Sequence, residues 1–201
     1  MRRFSLQTVP AFVPAETGAY TCAQVYRDVF SERQCRRIVE QAGALGSGEG
    51  HVGAGGTDDD VRRSTVTWLP ADDATAWMFD KLTTIVRRAN RIYGFDLIGF
   101  TEDLQFTRYA GEGAHYSWHQ DGLDGELALR KLSIVVQLSS ADDYSGGELE
   151  LFGIDDESWP ETTLDQGTVV VFPSFEYHRV TPLVSGTRCS LVAWVGGPPF
   201  R

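Results

Sequence analysis

The sequence lacks any apolar run near the roughly 20 residues that carry a helix across a bilayer. Its opening, Met1-Arg2-Arg3, leads into Ser5, Gln7, Thr8 and Pro10, where a secretory leader needs an unbroken apolar stretch. Cytoplasmic residence is the resulting expectation. Cysteine is scarce: Cys22, Cys35 and Cys189 are odd in number, and their spacings fit neither a disulfide framework nor a CxxC metal pair. Free thiols are expected. Basic charge is in deficit too, with 18 Lys and Arg against 28 Asp and Glu and a net charge of −10. A Lys/Arg-rich face that tracks phosphates is therefore not expected, which disfavours a nucleic-acid substrate. What is present is enough for a core: 42% apolar and 11% aromatic residues over 201 positions predict one domain, residues 1–201.

Ser31 to Ala44 reads as a helix, with Ser31 as its cap and Cys35, Ile38 and Val39 at helical spacing. Ala74 to Tyr93 suits an amphipathic helix whose arginines 87, 88 and 91 face solvent. Between them, Gly46 to Gly56 is glycine-rich and leads to three aspartates, 58–60. That composition fits a lid over a site and a solvated connector equally. From about residue 96 the pattern changes to short strands at Leu104–Tyr109, Lys131–Leu138, Glu148–Phe152, Thr168–Phe172 and Arg188–Val195, punctuated by turn pairs such as Asp121-Gly122, Asp124-Gly125 and Gly146-Gly147. Helices followed by strands predict an α+β, mainly β fold, a barrel or double sheet over about 96–197 braced by helical support over about 1–95.

His119 and Asp121 are two residues apart, so an extended backbone would project both to one face, where they could chelate one ion. His178, just beyond the apolar strand Val169 to Phe172, offers a third ligand. Two histidines and one carboxylate leave the opposite coordination positions open, the arrangement of non-haem Fe(II) oxygenases. Ten residues further lies Arg188, which alternation places on one strand face with Ser190, Val192 and Trp194, opposite Cys189, Leu191 and Ala193. A buried arginine needs an anion: a dicarboxylate end group, or an internal Asp or Glu. Alone, His-x-Asp would also fit a polar hairpin end. The conjunction with a distant His and an Arg ten residues later is far more specific.

The tract Arg108-Tyr-Ala-Gly-Glu-Gly-Ala-His-Tyr-Ser-Trp-His-Gln-Asp121, with Tyr144-Ser-Gly-Gly-Glu-Leu149 and Gly186-Thr-Arg-Cys-Ser190, resembles the prolyl 4-hydroxylase-like (PKHD-type) branch of the Fe(II)/2-oxoglutarate-dependent oxygenases. The resemblance covers about residues 100–197. It implies a double-stranded β-helix (jelly-roll) core, with His119, Asp121 and His178 as ligands of Fe(II), and 2-oxoglutarate and O2 as co-substrates. Arg188, where the branch often has Lys, would bind the distal carboxylate, with Ser190 beside it. Tyr109 and Gln137 would reach the co-substrate, and Trp194 would close the pocket near the metal, forming a dry wall with Val135. Because Asp121 is retained, hydroxylation is implied rather than the halogenation of relatives that lack this carboxylate. The substrate would be a small molecule or a peptidyl side chain. Two alternatives remain open here: a non-catalytic metal-binding barrel, and a cupin-type enzyme with no use for Arg188 as an anion anchor.

His115 reads as a loop or supporting residue and His51 as a solvated one. Arg62, Arg63 and Trp68 fit either substrate selection or ordinary packing.

Overall fold

A computed structural model describes residues 20–49, 58–122, 125–154, 159, 163 and 165–199. His51, most of the glycine-rich loop expected to be lid or connector, and Asp124 of one expected turn lie outside the described residues. In chain order the strands are β1 (Gln24–Tyr26), β2 (Gly48–Glu49), β3 (Arg62–Arg63), β4 (Thr65–Leu69), β5 (Gly99–Phe100), β6 (Leu104–Ala110), β7 (His115–His119), β8 (Arg130–Gln137), β9 (Tyr144–Gly146), β10 (Leu149–Leu151), β11 (Val169–Pro173), β12 (His178–Val180) and β13 (Leu183–Gly196). The helices are α1 (Glu32–Gly43) and α2 (Ala76–Tyr93).

Two antiparallel sheets face each other. The larger runs β1-β11-β8-β13-β6-β4-β2, with β5 and β9 also on β13, and the smaller runs β10-β12-β7-β3. Alternation decides what each face of the larger sheet does. On β8 and β13, Ile134, Val136, Leu191, Ala193 and Val195 point outward into a core shared with Cys35 and Ile38 of α1 and Met78, Leu82 and Val86 of α2. Each buried Val, Leu, Ile or Met side chain among these contributes roughly 1.5–3 kcal/mol. The intervening residues point between the sheets. This sheet is covered on both sides, so its central strands are nearly continuous in buried residues.

Helix α1 starts where the sequence predicts: Ser31 accepts from the Gln34 backbone N–H while the Gln34 side chain accepts from the Ser31 N–H, a capping box. Helix α2 stops at Gly94, whose φ of 66° is the left-handed cap that glycine adopts without a Cβ clash. The order of elements differs from helices first and strands afterwards. Strands β1 and β4 lie in the N-terminal half yet belong to the larger sheet, β1 pairing with β11 and β4 with β6. Both are short and lie towards the sheet margins, so neither leaves a long apolar run to be read.

Candidate active site

Register builds the site. His178 on β12 stands directly opposite His119 on β7, which brings the two rings to 4.1 Å between centroids. Asp121 arrives differently from the expectation. β7 ends at His119, and Asp121 sits in the bend beyond it, with its backbone N–H and that of Gly122 both donating to the Ser174 carbonyl. Gly122 has no room for a side chain: a Cβ there would lie 2.9 Å from the Arg130 carbonyl oxygen. The result is still one cluster, with a ligand atom from each of His119, Asp121 and His178 within 4.8 Å of the others.

The hydrogen bonds around the cluster select which atoms face inward. His119 Nδ1 lies 2.8 Å from the Ser117 carbonyl and His178 Nδ1 3.0 Å from the Glu176 carbonyl. A carbonyl only accepts, so both rings carry their proton on Nδ1 and present an Nε2 lone pair. Each Nε2 is 3.6 Å from an Asp121 oxygen. Ser133 Oγ and Trp194 Nε1 both donate to Asp121 Oδ2, at 2.7 and 3.0 Å, which leaves Oδ1 without a donor among the described residues. Ser133 and Trp194 are themselves a cross-strand pair of β8 and β13. Burial first of all, with His178 nearby, holds the His119 imidazolium down to a pKa of about 3, against a smaller opposing pull from Asp121. Burial would raise the Asp121 carboxyl, but His178, His119, Trp194 and Ser133 outweigh it and hold it near 2. At neutral pH the cluster is therefore a carboxylate with a neutral His119 lone pair, a donor set that fits a divalent transition-metal ion.

A cavity of about 570 Å³ opens between the sheets and is lined by all three residues together with Tyr109, Val135, Arg188, Ser190, Val192 and Trp194. The expected alternation on β13 is realised: Arg188, Ser190, Val192 and Trp194 face the cavity, while Cys189, Leu191 and Ala193 face the helices. Arg188 is 3% exposed, pairs in register with Tyr109, and has no carboxylate partner among the described residues; its Nη1 makes no hydrogen bond. The internal salt bridge considered from sequence is not formed there. Gln137 departs from expectation: it lines a small recess beside Arg188 rather than the main cavity. Trp194 is clamped under the Arg130 guanidinium, 3.7 Å from its ring centroid, and Arg130 is in turn held by both oxygens of Glu102.

Among the residues weighed from sequence, His115 bonds the Gly113 and Asp60 carbonyls and stays off the cavity wall. Arg63 is exposed and donates to the Glu112 carbonyl. Arg62 and Trp68 do line the cavity, Arg62 buried over the Tyr116 ring at 4.6 Å and Trp68 beside Trp194 at 6.2 Å. Sequence reasoning missed Ser133, Arg130 and Tyr116, which stacks on His119 at 3.5 Å. Strand alternation could have found Ser133, two residues before Val135. Arg130 and Tyr116 carry no such signal.

A sequence profile of the 2OG-Fe(II) oxygenase superfamily matches residues 104–196. A PKHD-type hydroxylase of Gloeothece citriformis is 43% identical over 94 residues, 46% of this chain and 41% of that protein. One from Stenotrophomonas maltophilia is 35% identical over 96 residues, 45% and 41% of the two chains. The match thus spans less than half the length of these curated relatives. Among solved structures, a Pseudomonas putida prolyl-4-hydroxylase superposes with a TM-score of 0.68 at 19% identity, over 88% of this chain and 93% of that one. A Trichoplax adhaerens prolyl hydroxylase in complex with a hypoxia inducible factor peptide fragment gives 0.71 at 16% identity, over 87% and 83%. These two establish the shared double-stranded β-helix fold. Residues 104–196, which contain the His119, Asp121 and His178 cluster and Arg188, are thus the part of the chain that is similar to the 2OG-Fe(II) oxygenase superfamily.

Proposed function

We propose that the protein is an Fe(II)- and 2-oxoglutarate-dependent hydroxylase of an aliphatic C–H in an amino acid, a peptide or a protein side chain, releasing succinate and CO2. The observation that carries this reading is Arg188, a buried guanidinium without a carboxylate partner among the described residues, opening into the same cavity as a three-residue metal face. Burying a lone cation costs several kcal/mol, so the cavity calls for a ligand that is anionic at one end and metal-chelating at the other. 2-Oxoglutarate is such a molecule. A structural metal barrel or a cupin-type enzyme leaves Arg188 unexplained.

His119, Asp121 and His178 would hold the iron, which with 2-oxoglutarate and O2 supplies the oxidising power. The chain's residues do the rest. Arg188 anchors the distal carboxylate, and Tyr109 and Ser190, on the same wall, flank it. Ser133 and Trp194 fix the Asp121 carboxylate, while Val135, Val192 and the Trp194 ring exclude water. We further read residues 1–201 as one domain with its core over about 96–197. The cytoplasmic setting is supported by three free thiols. The peptide-bound Trichoplax neighbour supports a peptidyl substrate as one option.

The test is succinate release by purified protein supplied with Fe(II) and 2-oxoglutarate. It should fall to background when either is withheld, and Arg188→Ala should raise the 2-oxoglutarate requirement by about tenfold or more. An Arg188→Ala protein with an unchanged requirement would sink the assignment.

A further inference from the structure

The recess behind Arg188 holds a residue that no family motif assigned to the co-substrate. It is lined by Gln137, Tyr144 and Arg188 with Val135, Leu149 and Val170. Gln137 reaches it from β8, on the cavity side of the sheet, where its backbone pairs with Ser190. Tyr144 comes from β9, whose strand is laid against the start of β13. The turn between β9 and β10 lets the two approach: Gly147 has φ of 71°, and a Cβ there would lie 3.4 Å from Arg188 Cδ and 3.8 Å from Tyr144 Cδ2.

Hydrogen-bond direction in this recess is determined. Gln137 Nε2 lies 3.0 Å from the Ser139 carbonyl oxygen and 2.9 Å from the Tyr144 hydroxyl. The carbonyl can only accept, so the amide nitrogen must occupy that side, and its second N–H donates to Tyr144. The Arg188 guanidinium lines the same recess and, having only donors, cannot take the Tyr144 proton. The phenol oxygen thus accepts from Gln137, and its own proton finds no acceptor among the described residues. Beside it, Arg188 Nη1 is buried without a partner.

We propose that Tyr144 is a co-substrate-binding residue, its O–H donating to the same distal carboxylate that Arg188 holds, with Gln137 as the positioning residue that turns the hydroxyl proton towards that anion. The inference rests on the 2-oxoglutarate reading of the cavity. It gives this chain a phenol hydroxyl at the anion end from β9, while the β8 position carries an amide that steers it. The arrangement favours a carboxylate, because a neutral end group would leave the buried Arg188 charge uncompensated and an apolar one would also leave the phenol proton unpaired.

The experiment is anaerobic calorimetric titration of 2-oxoglutarate into Fe(II)-loaded wild type, Tyr144→Phe, Gln137→Leu and Arg188→Ala proteins, with 2-oxovalerate, which lacks the distal carboxylate, as a control ligand. Tyr144→Phe keeps the ring, so its iron content should match wild type, while the lost Gln137 hydrogen bond should lower its thermal midpoint by only a few degrees. Its dissociation constant for 2-oxoglutarate should rise about tenfold, and that for 2-oxovalerate should not move. Gln137→Leu should show a smaller rise with the same selectivity. Unchanged 2-oxoglutarate affinity in Tyr144→Phe, with Arg188→Ala impaired, overturns the role of Tyr144 while leaving the cavity assignment standing. Wild type that binds iron but no 2-oxoglutarate overturns both.

Discussion

Trp194→Phe removes one hydrogen-bond donor from Asp121 and preserves most of the surrounding packing. The indole Nε1 donates to Oδ2 at 3.0 Å, Ser133 supplies the second donor at 2.7 Å, and the ring lies under Arg130 at 3.7 Å. A phenyl ring keeps the stacking and loses the N–H. A hydrogen bond to a charged group contributes about 1.5–3 kcal/mol, and losing a partner of a metal ligand typically costs 10–100-fold in metal affinity. With Ser133 retained, the lower end applies: about tenfold weaker Fe(II) binding. Ser133→Ala should cost about as much, and the double variant more than either. The assay is anaerobic metal titration against a competing chelator, run beside thermal melts of the metal-free proteins. A Trp194→Phe protein that binds iron within twofold of wild type would refute the claim that the indole holds the carboxylate in place.

Two further expectations follow from the same geometry. The metal-free protein should lose stability as pH falls from about 6.5 towards 3: burial and His178 hold His119 at about 3 in the fold, so over that window the unfolded chain takes up a proton that the folded chain refuses. Asp121, held near 2, adds a further loss below about pH 4; chemical denaturation at pH 7, 5 and 4 checks the first and at pH 3 the second, and a flat profile contradicts them. Gly147→Ala forces a side chain to φ of 71° with its Cβ 2.9 Å from Leu183 Cδ1. It should destabilise the protein by about 1–3 kcal/mol and weaken 2-oxoglutarate binding through Arg188, and a melt unchanged from wild type would show that the turn tolerates a side chain.

How much of this was legible depended on distance along the chain. The cavity-facing set Arg188, Ser190, Val192 and Trp194 follows from strand alternation alone, and the metal trio from residue type and spacing. Helix α1 was legible because its cap, Ser31 with Gln34, is local. Arg130, Tyr116 and Tyr144 owe their places to register and turns between strands distant in sequence, which no local pattern encodes; alternation puts Ser133 on the cavity face, but its place opposite Trp194 is again a matter of register. Asp121 was found for a partly wrong reason: the extended pleat invoked for it ends at His119, and two hydrogen bonds to the Ser174 carbonyl set the bend instead. Strands β1 and β4 were missed because their sheet membership comes from partners contributed by the C-terminal half.

The central claim, that His119, Asp121 and His178 hold an iron that shares its cavity with 2-oxoglutarate, is tested most directly by anaerobic titration of Fe(II)-loaded protein with 2-oxoglutarate, followed by visible absorbance. The account expects the weak charge-transfer band of a keto acid chelated to ferrous iron in wild type, and its absence in His119→Ala. Bound iron without a band in wild type, or a band that survives in His119→Ala, would contradict it.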